Sequence, residues 1–368
     1  MLRVMKLEPK DKVGILTSGG DAPGMNSVLR GAARVGAELG FEMVGIEDGY
    51  VGLLAERFVP LDLRTLDEAS RRGGTVLGTA RSKEFPTAEG QAKAKAIIEK
   101  HGLSALIVVG GNGSLTGAHA LLSARGMNGR PLAIGGIPAS IDNDLGSTSM
   151  AIGVDTAMNT IVEACDRICD TATAHRRTFI VEVMGRDCGY LAMTAGIAAG
   201  ADLVLVRETD KSDDEMVTQV TRIIERAYTE PSSRRRVLII KSEGVRMATS
   251  ALKDAVDARL SVRLPDVDSR ITVLGHVVRG GTPTAFDRLL GARLANATVR
   301  ALADGETGFM AGWVGPGITR APSPYDPYVV FTPLPEVLEE TERLHQGDSP
   351  LARWRKRVYR EVETVLER

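Results

Sequence analysis

Residues 12–30, KVGILTSGGDAPGMNSVLR, combine an apolar run, a glycine-rich turn and the start of an amphipathic segment. The run over 13–17 predicts a β-strand, and the spacing of apolar residues from 25 to about 39 predicts a helix. A continuously apolar strand is typical of a parallel sheet whose two faces are covered by helices. In open α/β sheets, ligands bind beyond the carboxyl ends of the strands, so we expect functional residues directly after each strand.

The same alternation continues along the chain and predicts an α/β fold with mainly parallel sheets. Further strands are predicted at 43–46, 105–109, 132–135, 179–183, 203–206, 237–241 and 271–274, with a long helix at 151–173 and a helical tail from 333. Because 368 residues exceed what one hydrophobic core usually serves, we expect two lobes. With chain crossings near Gly153 and Arg279, one lobe comprises 1–153 plus 279–328, and the other 154–278 plus 329–368.

Charge and cysteine content narrow the class of protein. The chain has 46 Lys plus Arg against 47 Asp plus Glu, a net charge of −1. This balance argues against nucleic acid or an anionic membrane as the main partner, since proteins that bind either one usually carry an excess of Lys and Arg. Three cysteines make no disulfide framework, and the first residues hold no apolar signal segment. We therefore expect a cytoplasmic protein.

Three glycine-rich turns are the main candidates for ligand binding. Two of them, SGGDAPG at 18–24 and GGNGS at 110–114, follow predicted strands and open helices, and GGTVLGTAR at 73–81 ends in Arg81. Glycine lets the backbone approach an anion, and a helix N-terminus adds free N–H groups. One such turn is also explained by a tight strand-helix connection. Three turns favour phosphate binding, with an arginine available to neutralise a phosphoryl group.

The segment PASIDND at 138–144 places carboxylates after another predicted strand. Carboxylates beside phosphate loops repel a simple anion, but they suit a general base or partners of a phosphate-bound magnesium ion. The alternative is an Asx turn that caps the next helix, which suits Asn143 or Asp144. That alternative explains the pair of carboxylates less well.

The second half of the chain presents arginines after its strands and ends in HVVRGG. His276 and Arg279, three residues apart, are suited to hold a monoester phosphate, because arginine offers a planar fork of donors. A lone histidine here would more often be structural. The accompanying charged residues are Arg176, Arg177, Arg186, Glu243 and Arg270.

Six motifs in register then identify a family resemblance. LTSGGDAPGMN, GGTVLGTAR, GGNGSLTGA, SIDND, HRRTFIVEVMGRDCGY and TVLGHVVRGG resemble the 6-phosphofructokinases of the ATP-dependent type over about residues 12–302. The resemblance implies two Rossmann-like lobes with the active site between them, in a homotetramer. It also implies a glycolytic kinase that uses Mg-ATP to phosphorylate fructose 6-phosphate at its 1-hydroxyl. The lobe containing residue 1 would then bind nucleotide, and the other lobe the sugar phosphate.

The resemblance assigns a role to each site residue. The catalytic set it implies is Asp142 as proton acceptor with Ser140, Arg81 and Arg186. The nucleotide set is Gly20, Arg81, Ser82, Gly111, Asn112, Gly113 and Ser114. The sugar-phosphate set is Ser140, Ile141, Asp142, Arg177, Met184, Gly185, Arg186, Glu243, Arg270, His276 and Arg279. Arg177 and Arg270 would reach this pocket from a neighbouring subunit, so the site would be shared.

Particular positions distinguish members of the family. Pyrophosphate-using relatives carry Asp at the position of Gly113 and Lys at that of Ala139, so both residues here favour ATP. Asn112 stands where an aspartate associated with magnesium is usual, which makes it the candidate metal ligand. It also keeps open a weakly catalytic regulatory relative, beside a phosphotransferase that uses pyrophosphate or an altered acceptor.

Positions linked to control and to the adenine also depart from the family pattern. Ser82 stands where an aromatic residue is common beside the adenine. Arg30 and Arg34 resemble two effector-site arginines of bacterial members, whereas Cys169 occupies the position of a third. The expectation of allosteric control rests on this partial match.

Overall fold

The strongest apolar runs form the central strands. From Val13 to Ser18, every residue of the first long strand is buried, because helices cover both faces of its sheet. The computed structural model describes residues 2–230, 236–315 and 320–366. Its strands are β1 (Leu2–Arg3), β2 (Lys12–Ser18), β3 (Glu42–Ile46), β4 (Phe58–Pro60), β5 (Leu103–Gly110), β6 (Ala133–Pro138), β7 (Thr178–Val183), β8 (Leu203–Leu205), β9 (Val237–Ser242), β10 (Ser269–Val273), β11 (Glu306–Thr307), β12 (Phe309–Trp313) and β13 (Val329–Pro333).

Helices follow most of these strands. They are α1 (Met25–Glu38), α2 (Gly49–Leu54), α3 (Leu63–Ala69), α4 (Ala88–Lys100), α5 (Asn112–Ala120), α6 (Val154–His175), α7 (Tyr190–Ala198), α8 (Asp213–Thr229), α9 (Thr249–Leu260), α10 (Ala285–Ala303), α11 (Leu334–Gln346) and α12 (Pro350–Leu366). Within the described ranges, no helix has the length and apolar character needed to cross a membrane. The chain divides into two units, which we describe in turn.

Unit 1 comprises Met1–Ile141, Leu145–Thr156 and Arg279–Gln346. Its seven-stranded sheet has the order β13-β12-β6-β5-β2-β3-β4, in which the five inner strands are parallel and the two edge strands antiparallel. The register pairs Ser18 with Gly110 and Gly110 with Pro138. Three strands therefore end level, and the loops that follow them lie side by side.

Unit 2 comprises Asp142–Asp144, Ala157–Val278 and Gly347–Arg368. Its four-stranded sheet is parallel, in the order β10-β7-β9-β8. A core of Leu, Ile and Val side chains from β8, β9, α8 and α9 covers one face. Val183 pairs with Ser242, so the loops after β7 and β9 are neighbours.

The α/β fold with mainly parallel sheets is confirmed, but one expectation about the lobes is wrong in detail. Residues 329–346, expected in the second lobe, pack with unit 1, because β13 pairs antiparallel with β12 at the edge of the large sheet. Neither β12 nor β13 was expected from the sequence. The strand expected at 132–135 continues to Pro138, and that expected at 271–274 begins at Ser269.

Candidate active site

The first two glycine-rich loops touch each other at the end of the large sheet. Gly19 has a φ of +89°, a backbone conformation that glycine adopts without strain. A Cβ at Gly110 would lie 2.4 Å from the carbonyl oxygen of Ser18 and 2.5 Å from Ser114 Oγ. Only glycine at this position allows the strands to end so close together. The two loops therefore form one continuous backbone surface in unit 1.

The third glycine-rich turn is bound to the first strand by threonines. Thr17 Oγ1 donates to the carbonyl oxygen of Gly78 at 2.8 Å and lies 2.9 Å from Thr75 Oγ1. Thr79 Oγ1 donates to the Gly19 carbonyl oxygen at 2.7 Å. These bonds hold the turn beside the loop that carries Gly20. Beyond the turn, Arg81 is exposed.

Ser82 has a local structural partner. Its Oγ accepts a hydrogen bond from the backbone N–H of Phe85 at 3.0 Å, which stabilises the turn before α4. The ring of Phe85 stacks on Tyr50, with the two centroids 3.9 Å apart. The Tyr50 hydroxyl donates to the carbonyl oxygen of Ser114 at 2.7 Å. Through these contacts the segment around Ser82 supports the first turn of α5.

The N-terminus of α5 presents donors rather than acceptors. Gly111 is its N-cap and forms no side-chain cap, and Gly113 has open space around the position of a Cβ. Unpaired N–H groups in the first turn, together with the helix dipole, favour an anion there. Ser140 Cβ lies 3.8 Å from the position of a Cβ at Gly111. The loop after β6 thus begins next to this anion-compatible helix end.

Asn112 is the first residue of α5, and its carbonyl oxygen accepts from Thr116 Oγ1 at 3.0 Å. It is not among the non-glycine residues of positive φ. A left-handed turn therefore does not explain why asparagine occupies this position. The residue is half-buried at the helix start.

The fit of a magnesium ion can be judged from these oxygens. Among the residues that the structure describes, no group of three His, Cys, Asp or Glu is placed to hold a metal ion. Magnesium that accompanies a nucleotide needs only one or two protein oxygens, with phosphates and waters completing its shell. The Asn112 side-chain carbonyl fits that requirement. The residues present therefore fit a metal carried by nucleotide phosphates.

Arg279 lies against the first glycine-rich loop. Its Nη1 donates to the carbonyl oxygen of Asp21 at 3.3 Å, and a Cβ at Gly20 would lie 2.6 Å from the same nitrogen. Glycine at position 20 is thus needed for the guanidinium to reach the backbone. Arg279 belongs to unit 1, whereas His276 is an exposed residue of unit 2. Both residues lie in one short 3₁₀ helix, Gly275–Arg279, and the division of the chain into units falls just before Arg279.

The loop after β6 turns sharply after Asp142. Asn143 is fully buried, with a φ of +50°, in the left-handed region that asparagine tolerates better than most residues. Its carbonyl oxygen accepts from Arg355 Nη1 at 2.9 Å. Asn143 therefore supplies the turn through its backbone, and Asp142 is half-buried beside it. Neither Asn143 nor Asp144 caps the next helix, because α6 begins only at Val154. Ile141, just before the turn, is fully buried.

The loops after β7 and β9 hold each other in unit 2. Gly185 has a φ of +126°, its carbonyl oxygen accepts from Ser242 Oγ at 2.6 Å, and its N–H donates to Glu243 Oε1 at 3.3 Å. The preceding residue, Met184, is buried. These bonds bring together the predicted sugar-binding residues Met184, Gly185 and Glu243.

Arg186 projects from this pair of loops. Its Nε donates to Asp187 Oδ2 at 3.0 Å, and this bond, with smaller contributions from Asp142 and Glu243, raises the pKa of the guanidinium. Its side chain is 78% exposed. Arg186 is therefore a fully charged group, anchored at one nitrogen and accessible to an anionic ligand.

Arg177 and Arg270, predicted to act together, do meet. Both donate to Asp268 Oδ2 at 2.8 Å, from Nε of Arg177 and Nη2 of Arg270. These hydrogen bonds, that of Arg270 first, lower the pKa of Asp268. Sequence reasoning missed Asp268. The contact follows from the strand register, in which Thr178 pairs with Ser269 and so aligns the preceding residues Arg177 and Asp268. This register is not visible in the local sequence.

The arginines compared with effector sites have partners of their own. Arg30 Nε and Arg34 Nη2 both reach the carboxylate of Asp67, at 2.5 and 2.7 Å, and lower its pKa. Cys169 Sγ accepts from Arg236 Nη1 at 3.0 Å. Arg236 thus places a cation beside the position where the family pattern expects another arginine.

Comparisons with known proteins give matches over most of the chain. The sequence model of the phosphofructokinase family matches residues 12–302. An ATP-dependent 6-phosphofructokinase of Natranaerobius thermophilus is 43% identical over 301 residues, which cover 82% of this chain and 89% of the relative. The alignment therefore covers most of both proteins.

Solved structures show the same fold. Phosphofructokinase from Saccharomyces cerevisiae superposes with a TM-score of 0.80 and 33% identity over 92% of this chain. This chain covers 47% of the length of that yeast chain. A pyrophosphate-dependent phosphofructokinase from Marinobacter aquaeolei has a TM-score of 0.74 at 19% identity over 89% of this chain, a likeness of fold alone.

Proposed function

The chain belongs to the phosphofructokinase family, and we propose that it transfers the γ-phosphoryl group of ATP to the 1-hydroxyl of fructose 6-phosphate. The product is fructose 1,6-bisphosphate, and the reaction belongs to glycolysis. The observation that carries this proposal is the level ending of β2, β5 and β6, from which two glycine-rich loops and the segment 139–144 emerge together. Phosphate-binding backbone and a candidate base thus come from one edge of one sheet.

The nucleotide is assigned to the loops of unit 1. The first turn of α5 receives its phosphates, because the helix end offers free donors and a favourable dipole. Open space at Gly113 favours ATP, since a side chain there would occupy the region beside the phosphates. The pyrophosphate-dependent relative shares the fold only. The residues proposed to bind ATP are Gly20, Arg81, Ser82, Gly111, Asn112, Gly113 and Ser114.

Asp142 is the proposed proton acceptor. The oxygen of the sugar 1-hydroxyl attacks the γ-phosphorus, its proton passes to the Asp142 carboxylate, and the bond to the ADP oxygen breaks. Arg81 and Arg186 offset the charge on the transferring group, because guanidinium donors bind phosphoryl oxygens strongly. Ser140, beside the N-terminus of α5, positions the reacting hydroxyl.

Magnesium enters this proposal with the nucleotide, and Asn112 is the residue that would contact it. When bound, the ion offsets negative charge on the phosphates. The missing carboxylate makes this contact weaker than the aspartate of the family pattern. The chain's own residues still perform the binding and proton-transfer steps described above.

The sugar phosphate is assigned to Met184, Gly185, Arg186, Glu243 and His276, with Ile141 and Arg279 completing the set. Arg177 and Arg270 are proposed to act on the 6-phosphate of a neighbouring subunit. Support comes from β10, which is an edge strand and ends at Val273, 59% exposed. Val277 is equally exposed just beyond it. An apolar edge beside charged arginines suits self-association, and we propose a homotetramer in the cytoplasm.

A coupled assay tests the proposed reaction. Purified protein is given fructose 6-phosphate and magnesium with either ATP or pyrophosphate, and fructose 1,6-bisphosphate is measured. We expect product with ATP and at least about a hundredfold less with pyrophosphate. Product only with pyrophosphate would reverse the assignment of the donor. Binding of ATP and sugar phosphate without product would instead support the regulatory relative.

A further inference from the structure

A cavity of about 190 Å³ lies beneath α12 in unit 2. Its walls come from α12, α7 and the segment after β8, and include Tyr190, Glu208, Lys211, Arg355, Tyr359 and Glu363. None of these residues belongs to the proposed nucleotide or sugar-phosphate sites.

The most unusual wall residue is Arg355. It is only 7% exposed, and its guanidinium lies over the ring of Tyr190 at 4.5 Å. Nη1 donates to the carbonyl oxygen of Asn143 at 2.9 Å and contacts Cys188 Sγ at 3.4 Å. Nε and Nη2 are also buried, and neither has a hydrogen-bond partner in the described part of the chain. Buried charged donors of this kind favour an oxyanion, because an unpaired buried charge is costly.

An acceptor faces the same cavity. Glu208 Oε1 accepts from the N–H of Gly189 at 2.6 Å, whereas its buried Oε2 lacks a partner among the described residues. Lys356 and Arg360 add two more basic side chains to the wall, and two other wall residues have hydrogen-bond partners. Lys211 Nζ pairs with Glu363 Oε1 at 2.5 Å, and the Tyr359 hydroxyl donates to the Val204 carbonyl oxygen. Among the described wall residues, the buried polar atoms without a hydrogen-bond partner are thus two guanidinium nitrogens of Arg355 and one carboxylate oxygen of Glu208.

We propose that this cavity binds a small carboxylate or phosphate anion that carries a hydrogen-bond donor on the adjacent carbon. Nε and Nη2 of Arg355 bind the oxyanion, and Glu208 Oε2 accepts from a neighbouring hydroxyl or ammonium group. The site is separate from the reaction proposed above. Since Nη1 of the same guanidinium holds Asn143, occupancy of the cavity is transmitted to the loop that carries Asp142. This second step rests on the proposed function.

Isothermal titration calorimetry on the full-length protein tests the site with four probes. Propionate, L-lactate and L-alanine differ only in the group on the carbon next to the carboxylate, and inorganic phosphate replaces the carboxylate itself. We expect lactate or alanine to bind at least about tenfold more tightly than propionate, because only they offer Glu208 a donor. Tighter binding of phosphate than of all three would assign the head group as phosphate. The site does not exist if none of the four binds saturably up to about 50 mM.

Two variants on the cavity wall make the test specific. Arg355→Met keeps an unbranched apolar stem and removes the guanidinium donors, so binding should fall at least about tenfold. Arg357→Met is the matched control, since Arg357 is exposed on the same helix and pairs only with Glu361 in the described structure. If Arg355→Met fails to fold, the Glu208→Gln variant tests the site instead. It keeps an acceptor for Gly189, and unchanged preference for lactate or alanine over propionate would overturn the proposal.

The link to the catalytic loop has its own readout. With fructose 6-phosphate and ATP saturating, the bound probe should change kcat at least about twofold, and Glu208→Gln should remove that change. Measured binding with unchanged kcat would refute the link while leaving the site intact. A protein without basal turnover would refute the proposed function, and the calorimetric result would still decide the site.

Discussion

At the scale of single residues, Asp142 and its neighbour Asn143 have different roles. Asp142 is the proposed base, and Asn143 forms the backbone turn beside it. Asn143 is fully buried, adopts the left-handed φ of +50° and is held at its carbonyl oxygen by Arg355. The backbone of Asn143 therefore accounts for the turn. Asp142, half-buried beside it, is the carboxylate that we propose takes up the proton.

Asp142→Asn should reduce kcat by about 10² to 10⁴, because it removes a general base. Both substrates should still bind, since the change removes a negative charge near two anionic ligands. Steady-state kinetics and calorimetry on the same preparation measure the two effects. The matched control is Asp254→Asn, an aspartate 77% exposed on α9. If the Asp142 variant keeps more than about a tenth of wild-type turnover, another group is the base.

His276→Ala and Arg279→Ala should both raise the KM for fructose 6-phosphate. Each removes a charge-assisted contact worth about 1.5 to 3 kcal/mol, or roughly tenfold to a hundredfold in affinity. Arg279 also contacts the loop at Gly20, so Arg279→Ala should in addition weaken the binding of ATP.

The KM values for both substrates separate these roles. His276→Ala serves as the comparison, because His276 is exposed and lies outside unit 1. An Arg279 variant that loses only ATP affinity would remove this residue from the sugar-phosphate set.

Asn112→Asp should lower the magnesium concentration needed for half-maximal activity. The side chain stands at the start of α5, and a carboxylate adds the charge that an amide lacks. An acidic residue in the first turn is also favourable to the helix dipole, so folding should not suffer. Activity titrated against magnesium in both proteins measures the effect. Superimposable curves would mean that residue 112 does not contact the metal.

At the scale of elements, the sequence predicted strands well where burial alone determines them. The runs that became β2, β5, β7 and β9 are apolar almost throughout, because both faces of a parallel sheet are covered. The edge strands β12 and β13 were missed. These two strands form by pairing with each other across the intervening segment. Such a pairing cannot be predicted from the local sequence pattern. For the same reason residues 329–346 were expected in the wrong lobe.

The site shows the same division between local and long-range information. Glycine-rich loops after strands could be predicted, because glycine and the helix start are local signals. Arg355 could not, since it lies in a charged, amphipathic tail where arginine is usually exposed, yet it is 7% exposed. Its burial follows from packing against Tyr190 and the loop at Asn143, which are distant in sequence.

Asp287 determines how the start of α6 joins α10 within unit 1. It is fully buried, and its two carboxylate oxygens accept from the N–H of Gly153 and of Thr156, each at 2.8 Å. Burial raises its pKa in spite of these bonds. Asp287→Asn should destabilise the protein by about 1 to 3 kcal/mol. The amide nitrogen of asparagine cannot accept a hydrogen bond, so one of the two backbone N–H groups loses its acceptor.

Urea denaturation followed by circular dichroism measures this loss. The control is Asp254→Asn on α9, where the side chain is 77% exposed and lies 4.0 Å from Lys253 Nζ. Surface pairs contribute about 0 to 1 kcal/mol, so the control should change stability little. Equal denaturation midpoints for wild type and Asp287→Asn would show that these two hydrogen bonds do not stabilise the junction of α6 and α10.

At the scale of the whole molecule, the two units carry complementary chemistry. Unit 1 offers backbone donors at glycine-rich loops, suited to a nucleotide, and unit 2 offers Arg177, Arg186 and Arg270 of the sugar-phosphate set. Arg177 and Arg270 share Asp268, which holds both guanidinium groups in place at the edge of the smaller sheet. If these arginines serve a neighbouring subunit, an isolated chain is an incomplete enzyme.

Mixing two inactive variants tests this sharing. Asp142→Asn lacks the base, and Arg270→Ala lacks the arginine proposed to reach the neighbour, so each alone should be nearly inactive at low fructose 6-phosphate. In a one-to-one mixed tetramer, about a quarter of the sites should combine an intact Asp142 with an intact neighbouring Arg270. Activity should therefore return to roughly a quarter of wild type, with light scattering confirming four copies.

The control pairs Arg270→Ala with the double variant Asp142→Asn/Arg270→Ala, which contains no intact Arg270 and should stay inactive. If the first mixture only averages the activities of its parents, Arg270 serves its own subunit.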